Sequence, residues 1–249
     1  MSEIHFGTDG WRALIAREFT FANVALVAQA IASHLRGAAL GRRPVIVGYD
    51  ARFLSEQFAR EAAGVLAANG LEVLLSERDA PTPALAYSII AEQAGGAAIV
   101  TASHNPPEYS GIKFVPEYAS PALPEVTEDI EARVRSLDAG GVRAPTEMEM
   151  RTRVRLFDPR PAYFARLREI IRLDKIRQAP LRVGVDALWG TARGYSDALL
   201  EEAGCQVLAI HDRRDPLFGG HLPDPNEDNL RELSRLVVEN DCDLGVATD

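Results

Sequence analysis

Three polar side chains of different chemistry leave an apolar strand together in AIVTASHNPPEYSGIKF, residues 98–114. Ile99 and Val100 end a buried strand, Ser103, His104 and Asn105 follow, and Pro106-Pro107 then stiffens the exit. A hydroxyl, an imidazole and an amide beyond the carboxyl end of a strand stand where open α/β sheets bind ligands. A turn that satisfies its own backbone groups explains Ser103 and Asn105 equally well at this level. Neighbouring side chains on an extended segment point apart, so Ser103 and His104 do not by themselves make a nucleophile and base. No G-x-S-x-G elbow is present, which argues against an α/β-hydrolase. GYDARF has one glycine and no G-x-G-x-x-G follows a strand, which counts against a dinucleotide site. In isolation Lys113 reads as a solvated strand lysine and Arg12 as a surface arginine. His34, His211 and His221 stand alone without ligand-like spacing and read as surface or core histidines, and Arg213-Arg214 read as solvated in a Pro/Gly-bounded loop.

The elements that must position these residues alternate. Thr20 caps a helix with Val24, Val27, Ile31 and Leu35 on its apolar face. PVIVGYD (44–50) is a short buried strand. The helix after it carries Leu54, Phe58, Ala62 and Val65 on one side and stops at Asn69-Gly70. LEVLL (71–75) is a strand, Pro83 suits the first turn of a helix through Ile90, and GAAIV returns to the sheet. GIKFV (111–115) is a further strand and 122–137 an amphipathic helix. Residues 138–157 lack clean periodicity, and a helix runs from Pro161 to Ile171. PLRVGVD (180–186) then repeats the plan of PVIVGYD. Each is followed by a turn, a helix, a glycine (Gly70, Gly204) and another strand, LEVLLS or CQVLAI. Asn226 is expected to cap a helix with Leu230, Leu233 and Val237 inward, and DLGVAT is the last strand. The expectation is an α/β chain of two tandem related α/β/α domains with mixed, largely parallel sheets, divided as 1–145 and 146–249.

At 249 residues and 47% hydrophobic, the chain can bury a core in each domain. A net charge of -9 argues against a general nucleic-acid or anionic-membrane surface, and leaves room for a local basic pocket for a phosphorylated small molecule. Cys205 and Cys242 sit in or beside apolar runs and read as buried thiols of a cytoplasmic protein rather than a disulfide. The start MSEIHFGTDGWR has no apolar signal region.

TASHNPPEYSGIKF closely resembles the phosphoserine loop of the α-D-phosphohexomutases, the family of phosphoglucomutase and phosphomannomutase. FGTDGWR (6–12), DAPTPAL (79–85), VGVDALWGTARG (183–194), DPLFGGHLPDPNEDNL (215–230) and DLGVATD resemble further motifs of that family, in the family's order. The likeness is closest in flavour to bacterial phosphoglucomutase-type members rather than phosphoglucosamine mutases.

The resemblance implies that Ser103 carries a phosphoryl group between two sugar oxygens through a hexose 1,6-bisphosphate. It makes Lys113 a general base, Arg12 the active-site arginine and His104 a hydrogen-bonding neighbour of the phosphate, all four contacting the hexose phosphate substrate. Gly7, Gly10 and Gly111 would let backbone approach the ligand, although tight turns explain them equally well. Asp249 matches the first acid of a loop that, with Ser103, binds Mg²⁺. The two further acids and two carboxyl-terminal domains of the family are absent from these residues, so residues 1–249 alone are expected to lack turnover. The rivals are a phosphomannomutase or dual-specific enzyme and, from another class, a non-catalytic sugar-phosphate-binding fragment.

Overall fold

A computed structural model describes residues 4–7, 10–137, 139–179 and 181–248, grouped in two compact units. The first comprises residues 1–50, 54–102 and 108–159, the second 51–53, 103–107 and 160–249. No helix among the described residues is long and apolar enough to cross a membrane.

In the first unit β1 (Gly10–Leu14), α1 (Phe21–Gly37), β2 (Val45–Tyr49), α2 (Ser55–Ala68), β3 (Val73–Ser76), α3 (Thr82–Ala91), β4 (Gly96–Val100), β5 (Tyr109–Pro116), α4 (Pro124–Ser136), α5 (Glu147–Arg153) and β6 (Val154–Phe157) follow one another. The strands form one sheet in the order β1-β5-β4-β2-β3-β6. β5 runs antiparallel to β1 and β4, and the remaining pairs are parallel. Central strands buried on both faces read as continuous apolar runs. Val45, Val47, Ala98 and Val100 face the cluster built with α1 and α2, whereas Ile46, Ala97 and Ile99 face Leu85 and Ile89 of α3. Thr20 Oγ1 accepts from Asn23 N at 3.3 Å, and Val24, Val27, Ile31 and Leu35 are fully buried, as the helical period requires.

Residues 147–157 fall on the far side of the expected division at 145, yet they belong to this sheet. β6 pairs in parallel with β3 over Val73↔Val154 to Ser76↔Phe157. α5 was legible in one local signal, Thr146-x-x-Glu149. Thr146 Oγ1 accepts from Glu149 N and the Glu149 carboxylate accepts from Thr146 N, a complete capping box.

In the second unit α6 (Arg160–Ile170), α7 (Leu173–Gln178), β7 (Arg182–Asp186), α8 (Ser196–Glu202), β8 (Gln206–Ile210), α9 (Arg231–Glu239) and β9 (Leu244–Ala247) support a parallel sheet ordered β8-β7-β9. The central strand β7 thus has the same two kinds of neighbour that β2 has in β3 and β4. Both central strands carry a glycine for one reason. A Cβ on Gly48 would lie 2.3 Å from Leu85 Cδ1 of α3, and one on Gly184 would lie 2.8 Å from Leu236 Cδ2 of α9. Asn226 does not cap α9, which starts after Leu230. Its Oδ1 accepts from Asn229 N and its carbonyl from Leu230 N, so it caps the turn that precedes the helix.

Candidate active-site residues

After β4, Thr101 N still donates to Gly111 O at 2.9 Å, and two residues later Ser103 takes a left-handed φ of 55°. For a residue with a Cβ that conformation costs on the order of 1 kcal/mol, so the surroundings must hold it. Arg52 does so. It is fully buried, and its Nη2 donates to Ser103 O and Asn105 O and its Nη1 to Pro106 O, each at 2.6 Å. The Asn105–Pro106 and Pro106–Pro107 peptides have no N–H, so only their carbonyls need partners, and the guanidinium supplies them. Phe218 lies with its ring centroid 5.1 Å from Arg52 Cζ. Arg214 donates through Nε to Ala51 O and through Nη2 to Arg52 O, both at 3.1 Å. These contacts explain why residues 51–53 and 103–107 group with the second unit, although the sequence places both inside 1–145. Ser103 is half-buried and His104 exposed.

The first unit brings Arg12 and Lys113 onto one sheet face. Arg12 stands opposite Gly111 and Gly10 opposite Lys113, while Trp11 and Ile112 pack into the core on the other side. Diagonal positions of an antiparallel pair are about 7 Å apart, so the two cations are neighbours. Gly111 is small because Arg12 crosses it. A Cβ there would sit 3.0 Å from Arg12 Cγ and 2.6 Å from the carbonyl oxygens of Thr101 and Trp11. Gly10 likewise lies inside β1 rather than in a turn, 2.4 Å from Ile112 O if given a Cβ. Close strand approach, not turn geometry, accounts for both. Gly7 lies outside the strands, and its N donates to Gly10 O at 2.8 Å.

Asp249, the expected first magnesium ligand, lies outside the described residues. Among the described residues no group of three or more His, Cys, Asp or Glu side chains could hold a metal ion. The hydroxyl of Ser103 alone does not fit Mg²⁺, which demands near-octahedral oxygen coordination.

Arg52 carried no sequence signal beyond being an arginine two residues past the strand-ending Asp50. Arg214, expected to be solvated, is instead committed to two backbone carbonyls. His211, expected to be an isolated surface or core residue, joins a network. Its Nδ1 is 2.9 Å from Asp186 Oδ1, its Nε2 is 2.8 Å from Glu232 Oε2, and its ring stacks on Trp189 at 3.6 Å between centroids. His34 Nδ1 is 2.7 Å from Asp129 Oδ2. Both cysteines are free, Cys205 buried and Cys242 half-buried.

Residues 3–140 match the family model for phosphoglucomutase/phosphomannomutase alpha/beta/alpha domain I, and residues 161–249 that for domain II. A Methanothermobacter thermautotrophicus protein with the provisional name phosphoglucosamine mutase is 31% identical over 98% of this chain and 51% of its own length. A phosphoglucomutase/phosphomannomutase of Thermococcus kodakarensis is 30% identical over 98% of this chain and 52% of its own. A crystal structure from Thermus thermophilus, provisionally named phosphomannomutase, is 35% identical and superposes with a TM-score of 0.89. That superposition covers 100% of this chain and 55% of the other. The chain spans about half the length of the curated relatives it matches.

Proposed function

The chain belongs to the phosphoglucomutase/phosphomannomutase family, and from that premise we propose that the full-length protein interconverts hexose 1-phosphate and hexose 6-phosphate through phospho-Ser103. Glucose is the first-choice sugar. The observation that carries the reading is the left-handed turn at Ser103, held by a buried guanidinium on three loop carbonyls. A carrier hydroxyl must return to one place for two successive transfers, and a loop fixed through its backbone meets that demand.

In the first transfer the P–O bond to Ser103 Oγ breaks and one to the sugar hydroxyl forms. The hydroxyl proton leaves to Lys113 Nζ as general base and is returned to Ser103 Oγ, the oxygen the phosphoryl group vacates. The hexose 1,6-bisphosphate then gives its other phosphate back to Ser103 by the reverse sequence. Arg12, with its planar fork of donors, suits bidentate contact to phosphate oxygens, and His104 supplies a further donor. Two cations on one sheet face suit the charge of roughly -1.5 to -2 on a phosphoserine or sugar phosphate. Residues 1–249 alone are proposed to lack turnover, because remote phosphate binding normally helps position the reacting end.

Names such as phosphoglucosamine mutase among relatives at 31% identity give the hexosamine phosphates equal standing with mannose phosphates as alternatives to glucose. The test is peptide mapping of the full-length protein after incubation with glucose 1,6-bisphosphate, beside an activity assay of Ser103→Ala. Label on Ser103 and loss of turnover in the variant are expected. Label elsewhere with an active variant overturns the reading, and binding of sugar phosphate with neither label nor turnover returns the protein to a non-catalytic binder. Competition among glucose, mannose and glucosamine 1-phosphates assigns the sugar.

A further inference from the structure

We propose that Arg52 is the positioning residue of the phosphoryl carrier, fixing the Ser103 loop in the shape that transfers phosphate; this rests on Ser103 being the carrier. Three observations converge on it. Arg52 is completely buried, and a guanidinium is taken out of water only where fixed acceptors replace its hydration. Its donors meet the carbonyls of Ser103, Asn105 and Pro106 at 2.6 Å, the short distance of charge-assisted bonds. Ser103 itself holds a φ of 55°, which a free loop would relax.

The three anchored peptides are not equivalent. Those of Asn105 and Pro106 lead into proline and have no N–H, so their carbonyls, both engaged by Arg52, are the only hydrogen-bonding groups they have. The Ser103–His104 peptide does have one. In a trans peptide N–H and C=O point in opposite directions, so tying the Ser103 carbonyl to Arg52 aims the His104 N–H away from the guanidinium. That amide is then oriented beside the hydroxyl-bearing residue, as a fixed donor for anionic oxygens. A cation that cannot be deprotonated also keeps its charge behind the loop through every protonation state of the cycle.

The anchor is itself anchored. Phe218 covers the guanidinium at 5.1 Å, and Arg214 binds the backbone carbonyls of Ala51 and Arg52, so the segment that presents the fork is held from the loop around 214–218. Lysine cannot replace a planar fork that serves three acceptors.

The decisive experiment uses the full-length protein and follows phosphorylation of Ser103 by glucose 1,6-bisphosphate with quenched-flow intact mass. Arg52→Lys should fold, transfer about 10²-fold more slowly than wild type, and keep its KM for glucose 1-phosphate within a few-fold. Methylguanidinium should speed the reaction of Arg52→Ala, and methylammonium should not. Equal rates of Ser103 labelling in wild type and Arg52→Lys overturn the inference, whatever happens to the melting temperature. If Arg52→Lys does not fold, Phe218→Leu decides, because it leaves every hydrogen bond of Arg52 in place. Slower labelling at constant KM supports the inference, and a wild-type rate with lowered thermal stability overturns it. Label on a residue other than Ser103 in the wild type sinks the phosphoserine reading and this inference together, whereas label on Ser103 at an unchanged variant rate sinks this inference alone.

Discussion

β2 and β7 are built on one plan and end in the same acid, yet they hand that acid to different kinds of partner. Asp50, just past β2, accepts from Ser55 Oγ at 2.6 Å, a neighbour five residues away at the start of the following helix. Asp186, the last residue of β7, is fully buried and meets Leu188 N at 2.8 Å and the His211 ring, which comes from beyond β8. Both exits pass through left-handed non-glycine residues, Leu54 at φ 59° in one and Leu188 and Trp189 at 45° and 55° in the other. The residues after the acid then diverge. The first exit buries Arg52 on the serine loop, and the second stacks Trp189 on His211. A shared strand-and-turn frame therefore fixes where polar groups emerge, while the residues two or three positions later decide what they do.

The comparison breaks most readily at Asp186. Its Oδ1 is the common acceptor of a buried amide and of His211, and its Oδ2 meets no donor among the described residues. Asp186→Ala leaves the Leu188 N–H and the inner nitrogen of His211 without an acceptor. The expected loss is about 3 kcal/mol in the second unit. Each unit contains one of the two tryptophans, Trp11 and Trp189, so urea unfolding followed by fluorescence in a Trp11→Phe background reports on the second unit alone. A loss below about 1 kcal/mol would mean that the non-local network carries no more than a surface contact.

The matching change in the first unit is Ser55→Ala. Ser55 is fully buried, but its hydroxyl serves an acid that remains half-exposed, so Asp50 can recover a partner from water. The expected cost is about 1 kcal/mol, read from Trp11 in a Trp189→Phe background at an unchanged urea m-value. An effect exceeding that of Asp186→Ala would invert the comparison and make the local contact the stronger one.

What the sequence disclosed divides along the same line. The helices and strands of both units followed from period and caps, because those signals are local: Thr20 on α1, Asn69-Gly70 after α2, the paired VG-x-D strands. α5 was equally local and was missed only because its capping box stood in a stretch without apolar period. The side-chain networks were not legible. Arg52 lies 51 to 54 residues from the carbonyls it binds and His211 25 from Asp186, and no spacing rule reaches so far. Charged residues in loops read as solvated by default, and Arg214 departs from that reading by binding two backbone carbonyls. Ser103, Arg12 and Lys113 drew attention through a motif; only the strand register put Arg12 beside Lys113. β9 stands to β7 as β4 stands to β2, each a parallel neighbour of a central strand, and that too is a matter of register rather than of local spacing.

The smallest expected effect is electrostatic and belongs to the first unit. The hydrogen bond from Arg133 holds the Asp129 carboxyl below the ordinary aspartate range, opposed by partial burial and assisted by His34. Arg133 Nε and His34 Nδ1 both lie 2.7 Å from Asp129 Oδ2, and His34 also meets the edge of Phe114 at 5.5 Å between ring centroids. A carboxyl whose folded pKa is depressed contributes stability above its unfolded pKa, and loses that contribution as pH falls through the folded value. With the Asp129 side chain 39% exposed, solvent screening keeps the contribution under about 1 kcal/mol. Asp129→Asn should therefore lower the stability read by Trp11 at pH 7 by a few tenths of a kcal/mol up to that bound. The difference should shrink to nothing once the solution is acid enough to protonate the native carboxyl, and it should decrease in high salt. A difference that persisted unchanged at the acid end would assign the effect to the lost packing against His34 rather than to charge. A difference that appeared instead on Trp189 would show that the two units do not unfold separately, and the contrast between their networks would have to be redrawn as one cooperative system.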